Sequence, residues 1–184
     1  MKIKNVVIVL LVAIILASCS PAAKIIPTEM VIQKTAIPMA DNFSFIFTDY
    51  SCSSIPLDVL DTNSGVLVHT PLDETESITI PFQLTKTELE EVFQKMSTMD
   101  FFNFPSNFVI PDEYMVATEV PTASYQLSVT NGAIVNSVSW TTGGFKDSGY
   151  AKAEQLKELL RFIQEMIYNH PEYQQLPEPN AACL

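Results

Sequence analysis

The chain has 184 residues, with 10 basic and 21 acidic side chains and a formal charge of −11. A surface of this sign repels nucleic acid and anionic headgroups, which argues against a nucleic-acid partner. The length suits one domain with a short tether. The acid is concentrated, since only Lys86 and Lys95 are basic between Lys34 and Lys146.

Lys2 and Lys4 make a basic start, and residues 6–17 are an almost unbroken apolar run. That run is too short for a comfortable membrane span, and small residues and a cysteine follow it, as in a secretory signal peptide. Leu16-Ala17-Ser18-Cys19 resembles a bacterial lipobox. The resemblance implies that Cys19 takes a diacylglyceryl group on sulfur, that residues 1–18 are cleaved off, and that Cys19 becomes the acylated (palmitate-bearing) N-terminus. Two or three acyl chains anchor stably, where one binds only marginally. The resemblance therefore implies an extracytoplasmic protein, lipid-anchored to the cell membrane or outer membrane, with the membrane as partner. An ordinary cleaved signal peptide or an uncleaved anchor is the other reading of these residues. Without Lys2 and Lys4, eight basic side chains stand against 21 acidic ones, a charge of −13.

With Cys19 lipidated, Cys52 and Cys183 form an even pair in a compartment that permits disulfides. A bridge would close a long loop and stabilise by about 4–5 kcal/mol in the chain-entropy model. Two unpaired thiols are the alternative.

Residues 20–40 carry Pro21, Pro27 and Pro38 and fit neither helix nor strand, so they read as a tether. Fully extended, about twenty residues reach roughly 65–70 Å. Ile25, Ile26, Val31 and Ile32 are unusual in a pure linker and suggest that part of it docks on the domain. The expected boundaries are a signal peptide over 1–18, a lipidated tether over 19–40 and one globular domain over 41–184.

Phe43, Phe45 and Phe47 alternate with Ser44 and Ile46 and predict a strand. A short strand is expected over 57–60, a turn over 61–65 and a strand over 66–69. Ile78, Ile80, Phe82 and Leu84 also alternate, and Pro81, which cannot donate to a ladder, puts that strand at an edge or a bulge. Thr85 and Glu88 make a capping box, with Leu84 and Leu89 as its hydrophobic staple. Leu89, Val92, Phe93, Met96 and Met99 then recur on one helical face. Phe101, Phe102, Phe104 and Phe108 read as an aromatic cluster closing a core.

Residues 125–140 predict a β-hairpin turning at Asn131-Gly132. A turn centred there would set Val129 opposite Ile134 and Tyr125 opposite Val138. Tyr125, Leu127, Val129, Ile134, Val138 and Trp140 would share one face. Ser124, Gln126, Ser128, Ser137 and Ser139 would share the other, with Val135 an exception among them. The pattern is that of a sheet with one packed and one wet face. Thr141 to Gly144 reads as a loop. A second helix is expected from Asp147 or Ser148, buried through Leu156, Leu159, Leu160, Ile163 and Ile167, and stopped by Pro171.

Chemistry-bearing motifs are sparse. His69 and His170 stand in no zinc-ligand spacing and read as surface or satisfied structural residues. Asp61-x-Asn63-x-Gly65 resembles part of a calcium loop, and it lacks the third acidic position and the distal glutamate, so a plain turn is the better reading. Asp58 with Asp61, or Asp73 with Glu74 and Glu76, could supply paired carboxylates, whose separation spacing alone does not define. No catalytic residue, metal site or cofactor is expected.

Strands, helix, strands, helix predict an α+β fold, an antiparallel sheet with two helices packed on one face. Leu84-Thr85-Lys86-Thr87-Glu88-Leu89, Met96, Asp100-Phe101-Phe102 and the ending Glu172-Tyr173 with Leu176-Pro177-Glu178 make the chain similar to uncharacterised secreted lipoproteins of bacteria. That resemblance implies location and class and no mechanism. A membrane-tethered binding or interaction module is the preferred expectation, its protein or small-molecule partner unspecified. An envelope hydrolase with an unsignalled carboxylate or serine site is the alternative. Carboxylates converging beside a serine or histidine in a deep pocket would favour the enzyme; a shallow sheet face without them would favour the module.

Overall fold

Alternation along the strands decides which face of the sheet is covered. The computed structural model describes residues 37–51, 55–71, 76–111, 114, 123–142 and 150–178. Strands β1 (Ser44–Ser51), β2 (Asp58–Asp61), β3 (Val66–His69), β4 (Ile78–Pro81), β5 (Ala123–Asn131) and β6 (Ile134–Thr142) form one antiparallel sheet. Their order is β4-β3-β2-β1-β5-β6. Helices α1 (Lys86–Thr98) and α2 (Ala151–Tyr168) touch each other and the sheet. The α+β architecture is the one expected.

Cross-strand registers line the inner face in rows. Phe47 lies opposite Leu60 and Leu127, and these lie opposite Leu67 and Val138. All five are buried, and full burial of such a side chain stabilises by about 1.5–3 kcal/mol. Val92, Phe93 and Met96 of α1 and Leu156, Leu159, Leu160, Ile163 and Ile167 of α2 complete one core with them. β4 takes the edge position that Pro81 requires. Among the described residues no helix is long and apolar enough to cross a membrane.

The start of α1 is as expected. Thr85 N–H donates to Glu88 Oε2 at 2.7 Å, and Glu88 N–H donates to Thr85 Oγ1 at 3.3 Å. The helix stops where Asp100 enters the left-handed region at φ 64°, a conformation that Asp tolerates better than branched residues. A 3-10 turn over Phe101–Asn103 follows. Phe101, Phe104 and Phe108 then turn inward, Phe101 stacked on Phe104 at 5.9 Å between centroids and Phe104 tilted against Phe108 at 5.4 Å. Ser139 N–H donates to Ser106 O and Phe108 N–H to Ser139 O, so this segment covers part of the β6 edge.

Three local expectations are corrected. The hairpin pairs Asn131 with Ile134, Val129 with Asn136 and Tyr125 with Trp140, two residues away from the expected register. Its turn is Gly132-Ala133, with Gly132 at φ 64°. Asn131 is held in the strand because its side chain is in use: Ala40 N–H donates to Oδ1 at 2.7 Å, and Nδ2 donates to Pro38 O at 3.0 Å. An even shift preserves the faces, so the serines still point outward and Val135 remains exposed among them. Secondly, Thr141 and Thr142 extend β6 opposite Ser124 and Ala123, where a loop was expected. Thirdly, α2 begins at Ala151 after an extended Tyr150 that makes no side-chain cap, later than expected. The same Asn131 contacts dock residues 38–40, so the end of the expected tether belongs to the folded body. The expected anchor Cys19, the other cysteines Cys52 and Cys183, and the remainder of the tether lie outside the described residues.

Candidate functional site

One row of the inner face is polar. β1 brings Asp49 opposite Asp58 on β2, and Asp58 lies opposite His69 on β3. On the other side Asp49 faces Tyr125 of β5. The even spacing from Phe47 to Asp49 and from Leu67 to His69 turns all of these inward. Asp49, Asp58 and His69 are at most 1% exposed. Buried charges persist only when paired and hydrogen-bonded.

The partners come from the C-terminal third of the chain. His69 Nδ1 lies 2.7 Å from Asp58 Oδ1, and Tyr173 donates its hydroxyl to Asp58 Oδ2 at 2.9 Å. Gln164 of α2 donates to Asp49 Oδ2 at 2.7 Å, and the Tyr168 hydroxyl interacts with the same carboxylate. The second ring nitrogen of His69, Nε2, lies 3.1 Å from the carbonyl oxygen of Pro177. A carbonyl can only accept, so Nε2 carries a hydrogen. The His69 and Tyr173 rings meet edge to face at 5.4 Å. Burial, and then the Asp58 charge, pushes the Tyr173 phenol well above the usual range. Burial and Asp49 do the same to Tyr168 and, less strongly, to Tyr125. Tyr168 is 37% exposed as a residue, and its hydroxyl reaches the buried Asp49.

A carboxylate, a histidine and a phenol within hydrogen-bond reach are acid–base groups in composition. Their setting differs from that of an open catalytic site. The ring nitrogen that would face a substrate is occupied by Pro177, and His69 is wholly buried. Among the described residues no group of three or more metal-ligating side chains could hold an ion.

The expected carboxylate pairs come out differently. Asp58 and Asp61 are three residues apart on one strand, so Asp61 points to the opposite face. There it accepts from Asn63 N–H at 2.9 Å and from Ser64 Oγ at 2.7 Å, the plain turn that was expected. The Ser64 hydroxyl holds the Asp61 carboxyl below the ordinary range. Asp73 and Glu74 lie outside the described residues, and Glu76 is exposed. His69 is the satisfied structural histidine expected. His170 packs on Phe82 at 4.3 Å with Nδ1 2.6 Å from Glu172 Oε2. The Asp58–His69 pair was within reach of the sequence, because strands folded back about the 62–65 turn set residue 58 opposite 69. Tyr173, Gln164 and Pro177 carried no such signal.

The outer face is open and uncharged in part. Ser124 and Ser128 share hydrogen bonds with Thr141 and Ser137, at 3.0 and 2.8 Å. A shallow groove of about 190 Å³ runs among Tyr50, Asn107, Ser124, Gln126, Ser139 and Thr141. A wider one of about 410 Å³ lies between the helices, beside Glu90, Glu91 and Lys95, whose ammonium sits 4.6 Å over the Phe162 ring. The wider groove shares no residue with the Asp49–Asp58–His69 row, and the outer-face groove meets that row only at Tyr125, the neighbour of Asp49. No protein-family model matches the chain, and no curated protein matches it.

Proposed function

We propose that the chain is a membrane-anchored extracytoplasmic lipoprotein, held through Cys19, whose domain is a binding or interaction module. The observation that carries the module reading is the contrast between the two faces. The convergent acid–base groups are sealed in the interior, while the accessible groove on the outer face is shallow and lined by hydroxyls, amides and the aromatic residues Tyr50, Tyr125 and Trp140. Such a lining suits a neutral polar partner, and the net charge of −11 disfavours acidic ones. An envelope hydrolase is the second reading, favoured by the Asp58–His69–Tyr173 composition.

Membrane fractionation of the full chain and its Cys19→Ala variant tests the anchor: the variant should leave the membrane fraction or accumulate as precursor. Co-sedimentation with isolated cell envelope tests the module. Gln126→Glu and Ser139→Asp put charge into the groove and should weaken co-sedimentation without lowering the melting temperature. Unchanged co-sedimentation would refute the groove. Ester or amide hydrolysis abolished by His69→Gln in folded protein would establish the second reading instead.

A further inference from the structure

The six strands turn one face outward, and that face is almost without charge. Asp61 is the charged side chain among its described positions, and its carboxylate is spent on Asn63 and Ser64. The chain as a whole is 17% charged, so the neutrality is a property of this face. The shallow groove lies where β1, β5 and β6 meet the crossing segment 106–108. Its lining holds no acid and no base. The wider groove between the helices differs, with Glu90, Glu91 and Lys95 on its walls.

The groove keeps its hydrogen-bonding capacity in hand. Ser124 and Thr141 share one bond at 3.0 Å, so one of the two hydroxyls still has its hydrogen to give. Among the described residues, nothing bonds the side chains of Asn107, Gln126 or Ser139, or the hydroxyl of Tyr50. A carboxamide sets two donors and an acceptor in one plane, and two of them flank the groove beside an aromatic ring. That set matches adjacent hydroxyls, each at once donor and acceptor. The volume of about 190 Å³ is below the ~300–1,000 Å³ of pockets that enclose a drug-sized ligand. The groove therefore suits one ring-sized unit of a longer chain.

We propose that this groove binds a neutral polysaccharide, one sugar unit at a time. Tyr50 lies against the apolar face of the sugar ring, and Asn107, Gln126 and Ser139 take its hydroxyls. The inference rests on the module reading above and names the chemistry of the module's partner. An acidic glycan would be repelled by a chain of charge −11 and would find no base in the groove. An extended peptide is recognised mainly through its backbone at a sheet edge. Beside the groove that edge is already taken, because Ser139 N–H donates to Ser106 O and Phe108 N–H donates to Ser139 O. A single unit binds weakly, and a repeating polymer facing many copies of the domain raises the overall affinity.

The test titrates the ¹⁵N-labelled full chain with cellotetraose, maltotetraose and tetra-N-acetylchitotetraose, each to about 10 mM, and follows backbone amide shifts. At least one should shift the amides of Ser124, Gln126, Ser139 and Thr141 saturably, with half-saturation on the order of 1 mM. Tetragalacturonate, the acidic counterpart, should leave them in place. Asn107→Ala and Gln126→Ala should each weaken binding about three- to tenfold, the worth of one neutral hydrogen bond. Tyr50→Phe should bind nearly as wild type and Tyr50→Ala should not. No shift with any of the three neutral sugars, shifts confined to the helices, or equal binding of tetragalacturonate or of a Gly-Ser octapeptide would overturn the proposal. If Tyr50→Ala fails to fold, the wild-type shift map and the amide variants decide. Loss of the sugar response while the chain still co-sediments with cell envelope would overturn the polysaccharide alone, whereas loss of both would overturn the module reading with it.

Discussion

Tyr173→Phe is the sharpest probe of the buried row. It removes one oxygen and leaves the ring that packs on His69 at 5.4 Å and on Tyr168 at 5.0 Å. What is lost is the hydroxyl bonded to Asp58 Oδ2 at 2.9 Å, in a site 1% exposed where water cannot replace it. A hydrogen bond to a charged group is worth about 1.5–3 kcal/mol, and a urea slope of about 1–3 kcal/mol/M makes that a midpoint shift of about 1 M. Trp140, the single tryptophan and 4% exposed, reports unfolding by fluorescence. Alkaline pH supplies a second signature. The Tyr173 phenol is raised by burial and by Asp58, so the folded state holds its proton longer than the unfolded chain. Its contribution is fully present below the unfolded phenol value of about 10 and is lost as pH rises beyond it. Tyr168 and Tyr125 act with the same sign. Tyr173→Phe should therefore destabilise at pH 7 and flatten the alkaline decline. An unchanged urea midpoint at pH 7 would refute the claim that this hydroxyl supports Asp58.

Thr85→Ala should cost about 1 kcal/mol in urea unfolding, because it strips the acceptor for Glu88 N–H. Gly132→Ala should cost about 1–2 kcal/mol from its φ of 64° alone, since an added Cβ would meet Ala40 at an ordinary 3.5 Å. A melting temperature unchanged from wild type would contradict that turn. Cys52 and Cys183 are expected to resist alkylation in folded, non-reduced protein and to react after reduction. The His69–Pro177 contact brings the tail to the end of the sheet where β1 finishes, and six residues beyond Pro177 span up to about 20 Å. Quantitative labelling of both thiols without reductant would rule the bridge out.

The parts of this fold written locally were legible. The α1 cap needs only Thr85 and Glu88, three residues apart, and the α2 stripe needs only helical periodicity. The 61–65 turn is read from its own polar residues and from Gly65, at φ 66°. Elements decided by distant partners were not legible. Nothing near Asn131 announces that Ala40 and Pro38, about 90 positions away, will hold its side chain, moving the turn by one residue and the register by two. The polar row is the same case on a larger scale. Asp58 reads only as a possible partner of Asp61, and nothing singles out Asp49, until the register aligns the two, and Tyr173 meets Asp58 across 115 positions. Burial of a charge is a property of what covers it, and here the cover arrives last in the chain.

The reading of the protein as a lipid-anchored module rests first on the chemistry of Cys19, and the intact mass of the mature protein extracted from membranes measures it directly. The account predicts a chain that begins at Cys19 and carries the added mass of a diacylglyceryl group, with or without an amide-linked acyl chain. A mature chain beginning at any other residue, or an unmodified Cys19 at its N-terminus, would contradict it.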